Sequence, residues 1–267
     1  MPVAHRPLAL WAAVAAVAFG GLAQAGPILY DHDHDHDHDH GDFVLGGTYN
    51  PGGGSPGKWG PPALGTGATV TWSFMPGGLT VDGGGTSVAL SSFMPVGFEN
   101  AIRAAFAAWS AVANITFVEI LDNGLNFDAP GAVGDIRVGA HAFDGAGGVL
   151  AHGFFPPNNG VTAAGDIHFD SGDLWKLAFG GPGFSIFQVM AHEIGHAIGL
   201  GHTGVPNSLM NPFYTESFTG LQPDDIAGAR FIYGNALTAV PEPSSLLVFA
   251  AVGVVGWAVR RRVKQAA

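Results

Sequence analysis

The sequence has 267 residues, 42 glycines, no cysteine and a formal net charge of −11. That length suits one well-cored domain with extensions; only 12% of residues are charged, which favours a loop-rich domain over a helical bundle, and without cysteine there are no disulfides. Half of the basic residues (Arg6, Arg260, Arg261, Arg262 and Lys264) lie at the ends, so the stretch between them is close to −15 and should repel nucleic acid and anionic lipid while attracting divalent cations.

Residues 1–25 read as a signal peptide. His5 and Arg6 precede an apolar run from Leu8 to Phe19, and Ala23-Gln24-Ala25 forms a small-residue cleavage pattern. The run is too short to span a bilayer. Residues 26–57 form an Asp/His-rich and then Gly/Pro-rich segment, expected to be disordered. Its core, Asp31 to His40, is five Asp-His repeats. Such a tract cannot build a core; it offers either loose zinc or nickel sites or a plain solvated spacer.

A folded domain is expected over residues 58–235. Thr69 to Phe74 alternates as a strand does. Phe98 to Val112 sets Ile102, Ala105, Phe106 and Trp109 at helical spacing, so one face of a helix is apolar. Ile115 to Ile120 is a β-branched strand and Asp135 to Val138 another. This order, followed by a second helix, is an α+β arrangement. A last helix is expected over Pro223 to Tyr233.

The stretch from His192 to His202 reads His-Glu-Ile-Gly-His-Ala-Ile-Gly-Leu-Gly-His. Two histidines four residues apart lie on one helix face, so His192 and His196 can reach the same metal ion. Gly199 and Gly201 let the helix stop and the chain turn, since glycine adopts positive φ at little cost, and the turn returns His202 as a third ligand. Three neutral nitrogens leave a tetrahedral zinc one open position, the mark of a catalytic rather than a closed structural site. Glu193, next to the first ligand, is placed as general base for a zinc-activated water. The full HExxHxxGxxH pattern is far more specific than HExxH alone.

On these residues the sequence resembles the metzincin metallopeptidases and, within them, the matrixins. Ser208-Leu209-Met210-Asn211-Pro212 is similar to the Met-turn of that clan, with Met210 beneath the zinc. Thr203 stands close to the serine usual in matrixins. Pro212-Phe213-Tyr214 is similar to the segment lining the family's S1′ pocket, and Lys58-Trp59 to the one preceding its first strand. The resemblance implies a zincin fold, a twisted mixed sheet with a long active-site helix. It also implies a zinc-dependent endopeptidase acting on protein or peptide substrates, which pair by main-chain bonds with the strand containing Leu150 and Ala151. His141, His152 and His168 match the histidines of the family's second, structural zinc. The aspartate ligand two residues after the first of these is replaced here by Phe143, leaving the fourth position to Asp144 or water. Asp144, Asp170 and Asp173 match carboxylates that bind calcium in the family. The cysteine switch that keeps many matrixins latent is missing.

Residues 240–264 begin Val-Pro-Glu-Pro-Ser-Ser, continue as an apolar run from Leu246 to Val259 and end in Arg260-Arg261-Arg262. This resembles the bacterial PEP-CTERM sorting signal, which implies an exosortase as processing partner and a bacterial cell envelope, surface or extracellular matrix as destination. The apolar run is marginal for a membrane span, and a plain C-terminal membrane anchor has most of the same consequences. Two other functions stand beside the secreted peptidase. One is a non-catalytic envelope or matrix protein on a matrixin-like fold; the other is a metal scavenger resting on the Asp-His tract. An intact Glu193 separates the first pair, because a scaffold has no need of it.

Overall fold

The structure, a computed structural model, describes residues 57–157 and 162–237. The signal-peptide reading, the Asp-His tract, the linker up to residue 56 and the sorting segment lie outside the described residues.

Four strands run parallel and one runs against them. Strands β1 (Ala68–Phe74), β2 (Ile115–Glu119), β3 (Ile136–His141), β4 (Ala151–Gly153) and β5 (Ile167–Asp170) form one sheet in the order β2-β1-β3-β5-β4. Among the described residues only β4 is antiparallel, paired to β5 through Ala151–Phe169, His152–His168 and Gly153–Ile167, and its outer edge carries no further strand there. The α+β expectation with a mixed sheet therefore holds. A small second sheet pairs β6 (Trp175–Lys176) with β7 (Phe184–Ser185).

Helix α1 (Phe98–Val112) has the bounds expected from its apolar spacing, with Phe98, Ile102, Ala105, Phe106 and Trp109 all buried. It packs on the sheet through Phe106, whose ring stacks on Trp72 of β1 at 4.3 Å between centroids. Central strand β3 runs three residues beyond the expected end at Val138. Gly139 argues against a strand in isolation, but here small residues are demanded: a Cβ at Gly139 would meet Met75 Sδ at 3.0 Å and the His168 ring at 3.2 Å. Pairing to β5 then carries β3 on to His141. The strand also buries Arg137, whose guanidinium makes a two-pronged pair with Asp122 at 2.7 and 2.9 Å and donates to Leu125 O. A buried charge survives only when paired and hydrogen-bonded in this way.

Helix α2 (Ile186–Ala197) starts at Ser185, whose hydroxyl accepts from Gln188 N. It is buried nearly all round, and Trp109 of α1 donates its indole N–H to Ala191 O at 2.9 Å. Helix ends leave carbonyls without partners, and here Trp59, ahead of β1, and Tyr233, near the end of the domain, supply donors. Trp59 Nε1 donates to Ala197 O at 2.7 Å, and the buried Tyr233 hydroxyl donates to Ile198 O at 2.9 Å while accepting from Trp59 N. Helix α3 (Pro223–Tyr233) closes the domain, also with the expected bounds.

Candidate metal centre

Both histidines of α2 point their Nε2 atoms at one spot, and the turn after the helix brings a third. Gly199 makes that turn, with φ of 105° and no room for a Cβ, which would meet Gly57 O at 2.6 Å. Gly201 does not use positive φ, so the expectation that both glycines supply it is corrected: Leu200 N donates to Gly195 O and the chain leaves the helix after one left-handed residue. The Nε2 separations are 3.0 Å (His192–His196), 3.3 Å (His192–His202) and 3.2 Å (His196–His202). Zinc–nitrogen bonds of about 2.0–2.1 Å in tetrahedral array require nitrogens about 3.3–3.4 Å apart. The triangle has that size.

These contacts are not hydrogen bonds among the rings. His192 Nδ1 lies 2.6 Å from Leu209 O and His196 Nδ1 2.7 Å from Leu200 O. A carbonyl only accepts, so each Nδ1 carries the proton and each Nε2 presents a lone pair to the centre. Burial keeps the imidazoles neutral: it lowers His192 to about 3 and His202 to about 4, and it takes His196 well below the usual range, with repulsion between neighbouring rings acting in the same direction on His192 and His196. Facing lone pairs repel unless a cation lies between them. The donor set fits zinc.

The Leu209 carbonyl is held in turn. Asp225, third residue of α3, is buried and accepts from Ser208 Oγ, from Leu209 N at 2.9 Å, from Met210 N at 3.0 Å and from Gln222 N at 2.7 Å. One carboxylate thus pins the Met-turn to α3 and closes the start of that helix. Met210 lies against α2 where the helix lacks a side chain: a Cβ at Gly195 would meet its Sδ at 2.3 Å. Asp225 lies outside the motifs that mark the ligands. Its signal is an acid two residues after Pro223, the pattern of a capped helix start.

Glu193 is fully buried, and neither of its carboxylate oxygens has a hydrogen-bond partner. Burial alone pushes its pKa well above the carboxylate range. Strand β4 crosses close by at Gly153, where an added Cβ would meet Glu193 O at 2.9 Å and Glu193 Oε2 at 3.2 Å. Leu150 and Ala151 are buried at the start of this strand. Tyr214, beyond the Met-turn and Pro212, accepts from Ser185 N at 2.8 Å, donates to Glu216 and packs edge-on against Phe184.

Ligand-type atoms also converge at a second place. His141, His152 and His168 gather around Asp82, from the connection between β1 and α1. Asp82 stands beside these three rings, a neighbour the sequence did not single out, while Asp144 accepts from Val149 N. Val81-Asp82-Gly83-Gly84-Gly85 is local evidence only of a turn, because what makes Asp82 special is its closeness in space to His168 of β5, 86 positions along the chain. Asp144, Asp170 and Asp173 neighbour one another less tightly, and they form no third such group among the described residues. Burial, with repulsion from Asp170 and Asp144, raises Asp173 to about 6, and buried oxygens of Asp170 and Asp173 have no partner.

Comparison with known proteins gives two family matches. Residues 90–234 match the Matrixin peptidase model, more than half of the chain, and residues 239–262 match the PEP-CTERM protein-sorting motif, which points to export to the cell envelope or surface. Among individual relatives, karilysin of Tannerella forsythia is 38% identical over 149 residues, 55% of this chain and 31% of the relative. Human matrix metalloproteinase-16 is 42% identical over 161 residues, 54% of this chain and 25% of the relative. Stromelysin-3 of Xenopus laevis is 36% identical over 148 residues, with 54% and 29% covered. The chain thus spans less than a third of the length of these relatives. No helix among the described residues is long and apolar enough to cross a membrane.

The role of Asp225 can be tested directly. Asp225→Asn puts an amide where backbone and hydroxyl donors need an acceptor, and unfolding in denaturant should show a loss of about 2–3 kcal/mol. Because Leu209 then holds His192 less firmly, zinc affinity should fall at least about tenfold. Unchanged affinity in a folded variant would separate the Met-turn from the metal centre.

Proposed function

The chain belongs to the matrixin family, and from that premise we propose that it is a zinc-dependent endopeptidase delivered to the cell envelope or surface. One observation carries the reading: three imidazole nitrogens in a triangle of metal-binding size stand beside a buried carboxylate that nothing among the described residues satisfies. In this reading His192, His196 and His202 hold the zinc. Bound zinc supplies a Lewis acid that acidifies water and polarises the scissile carbonyl.

The chain's own residues do the rest. Glu193 takes the proton of the attacking water on a carboxylate oxygen and then hands it to the departing amine. Its burial favours holding that proton, and a cation bound beside it would favour releasing it. The edge of β4, unpaired among the described residues, offers main-chain groups to an extended substrate strand. Gly153 leaves Glu193 its space on that side. Pro212 and Tyr214 line the pocket for a substrate side chain, with Tyr214 fixed by Ser185 and Glu216. A purely structural envelope role leaves Glu193 without a reason to be where it is, since an unpartnered buried carboxyl is costly.

Calcium bound by Asp144, Asp170 and Asp173 belongs to the same reading, supported by the unpartnered buried oxygens of the last two. The match over residues 239–262 supports removal of the C-terminal segment by an exosortase-type enzyme.

Glu193→Gln should retain its zinc and lose between about 10²- and 10⁴-fold in turnover of a peptide substrate. Turnover equal to the unaltered protein, with zinc still bound, would assign the base elsewhere. Removing calcium with a selective chelator should lower the melting temperature, because an ion at a hundred times its dissociation constant stabilises the folded state by about 2.7 kcal/mol. A melting curve indifferent to calcium removes that site. Mass spectrometry of the mature protein should find Arg260 to Arg262 missing; an intact C-terminus on surface-located protein would favour a simple anchor.

A further inference from the structure

We propose that Glu216 is a positioning residue that sets substrate selectivity: it ties the wall of the substrate side-chain pocket, through Tyr214, to the connection between β6 and β7. The inference rests on the peptidase reading, in which Tyr214 lines that pocket. Glu216 acts on a substrate only through the tyrosine.

Tyr214 has one hydroxyl, and both of its hydrogen-bonding roles are used. It accepts from Ser185 N at 2.8 Å and donates to Glu216 Oε1 at 2.7 Å. Its ring meets Phe184 edge-on, with 5.2 Å between centroids. Ser185 is the residue from which α2 starts, and α2 carries His192 and His196. The tyrosine therefore takes one fixed point from the helix that holds the metal ligands. Glu216 supplies the other, on the opposite role of the same oxygen.

Glu216 is in turn held from a different part of the chain. Its Oε2 accepts from Gly180 N at 2.8 Å, across 36 positions of sequence, and its Oε1 pairs with Lys176 Nζ at 2.5 Å. The same ammonium donates to Gly181 O at 3.0 Å, and the Lys176 side chain is only 13% exposed. Gly180 and Gly181 adopt the left-handed region, with φ of 86° and 74°, and a Cβ on either would meet nothing. These glycines serve backbone direction and not space: the turn they make sets an N–H on the carboxylate and a carbonyl on the ammonium. The hydrogen bond from Lys176, ahead of that from Gly180, holds the Glu216 carboxyl at about 2, so it is an anion at neutral pH. A surface ion pair alone adds little stability. Here one carboxylate gathers three donors from two loops, and what it fixes is geometry.

The stretch from the Met-turn to α3 has another anchor at its exit, where Gly220 N donates to the buried Gln188 side chain at 2.9 Å. Glu216 holds the same stretch at the tyrosine. A substrate side chain entering beside Tyr214 thus meets a wall built from two loops, residues 177–183 and 211–221, and the Lys176–Glu216 pair sets their spacing. Releasing the pair lets the tyrosine shift, and discrimination by side-chain size falls.

The test uses the full-length, zinc-loaded protein and two peptides that differ only in the residue after the scissile bond, leucine in one and alanine in the other. In the unaltered protein their kcat/KM values should differ at least about tenfold, as a shaped apolar pocket requires. Glu216→Ala should cut that ratio at least about fivefold, and Lys176→Met, which leaves Tyr214 and Glu216 in place, should move it in the same direction. In a Tyr214→Phe background, where the linking hydroxyl is gone, Glu216→Ala should change the ratio less than about twofold further, because residues acting through one link do not add. Hydrogen exchange at Ser185 N needs no activity and should quicken at least about tenfold in Glu216→Ala. A folded Glu216→Ala protein with the parent's ratio, a full second loss in the Tyr214→Phe background, or unchanged exchange at Ser185 overturns the proposal. Cleavage of neither peptide by the unaltered protein faults the peptidase reading and this role with it, whereas cleavage with an unchanged ratio faults this role alone.

Discussion

Three lone pairs held about 3 Å apart in a largely buried site are the constraint on which the rest of this domain depends. Left alone they repel, and a chain gains nothing by assembling them. They are assembled because other parts of the fold hold each ring from behind. Leu209 O takes the proton of His192, Leu200 O takes that of His196, and both carbonyls sit on turns fixed by further bonds. The preference for metal is therefore set in the backbone one step out, where the tautomers are decided.

That arrangement explains why the domain spends buried polar groups so freely. Asp225 satisfies four donors so that the Met-turn can pass under α2. Trp59 and Tyr233 close the carbonyl end of α2, and Trp109 reaches into its middle. Each is a paired group, and each keeps the helix from shifting relative to the turn that brings back His202. Gly195 has the same meaning in reverse: the missing side chain is the space Met210 occupies. A helix of 12 residues buried on nearly every side is rigid enough to hold two ligands one turn apart.

Much of this was legible in the sequence, and the boundary is instructive. Helix α1 follows from apolar spacing, which is decided by residues a turn or two apart, and α3 from the family resemblance. The ligands His192, His196 and His202 are local for the same reason. Strand β3 extends past its expected end at Val138, and only the neighbours Met75 and His168 reveal why no side chain fits at Gly139. Asp82 was missed because it meets His168 across 86 positions of sequence. No pattern near either residue announces the other. Asp225 falls between: its helix-start pattern was visible, while its hold on Leu209 and Met210 was not. Residues that act within a turn can be read from the chain, and residues that act through the fold wait for the fold.

Cleavage of a mixed peptide library by the purified full-length protein, before and after zinc removal, tests the central claim most directly. The account predicts cleavage by the zinc-loaded protein, its loss when a strong chelator strips the metal, and its return as zinc is restored to the triangle of His192, His196 and His202. Cleavage that persists in metal-free protein, or a zinc-loaded, folded protein that cuts nothing in the library, would contradict it.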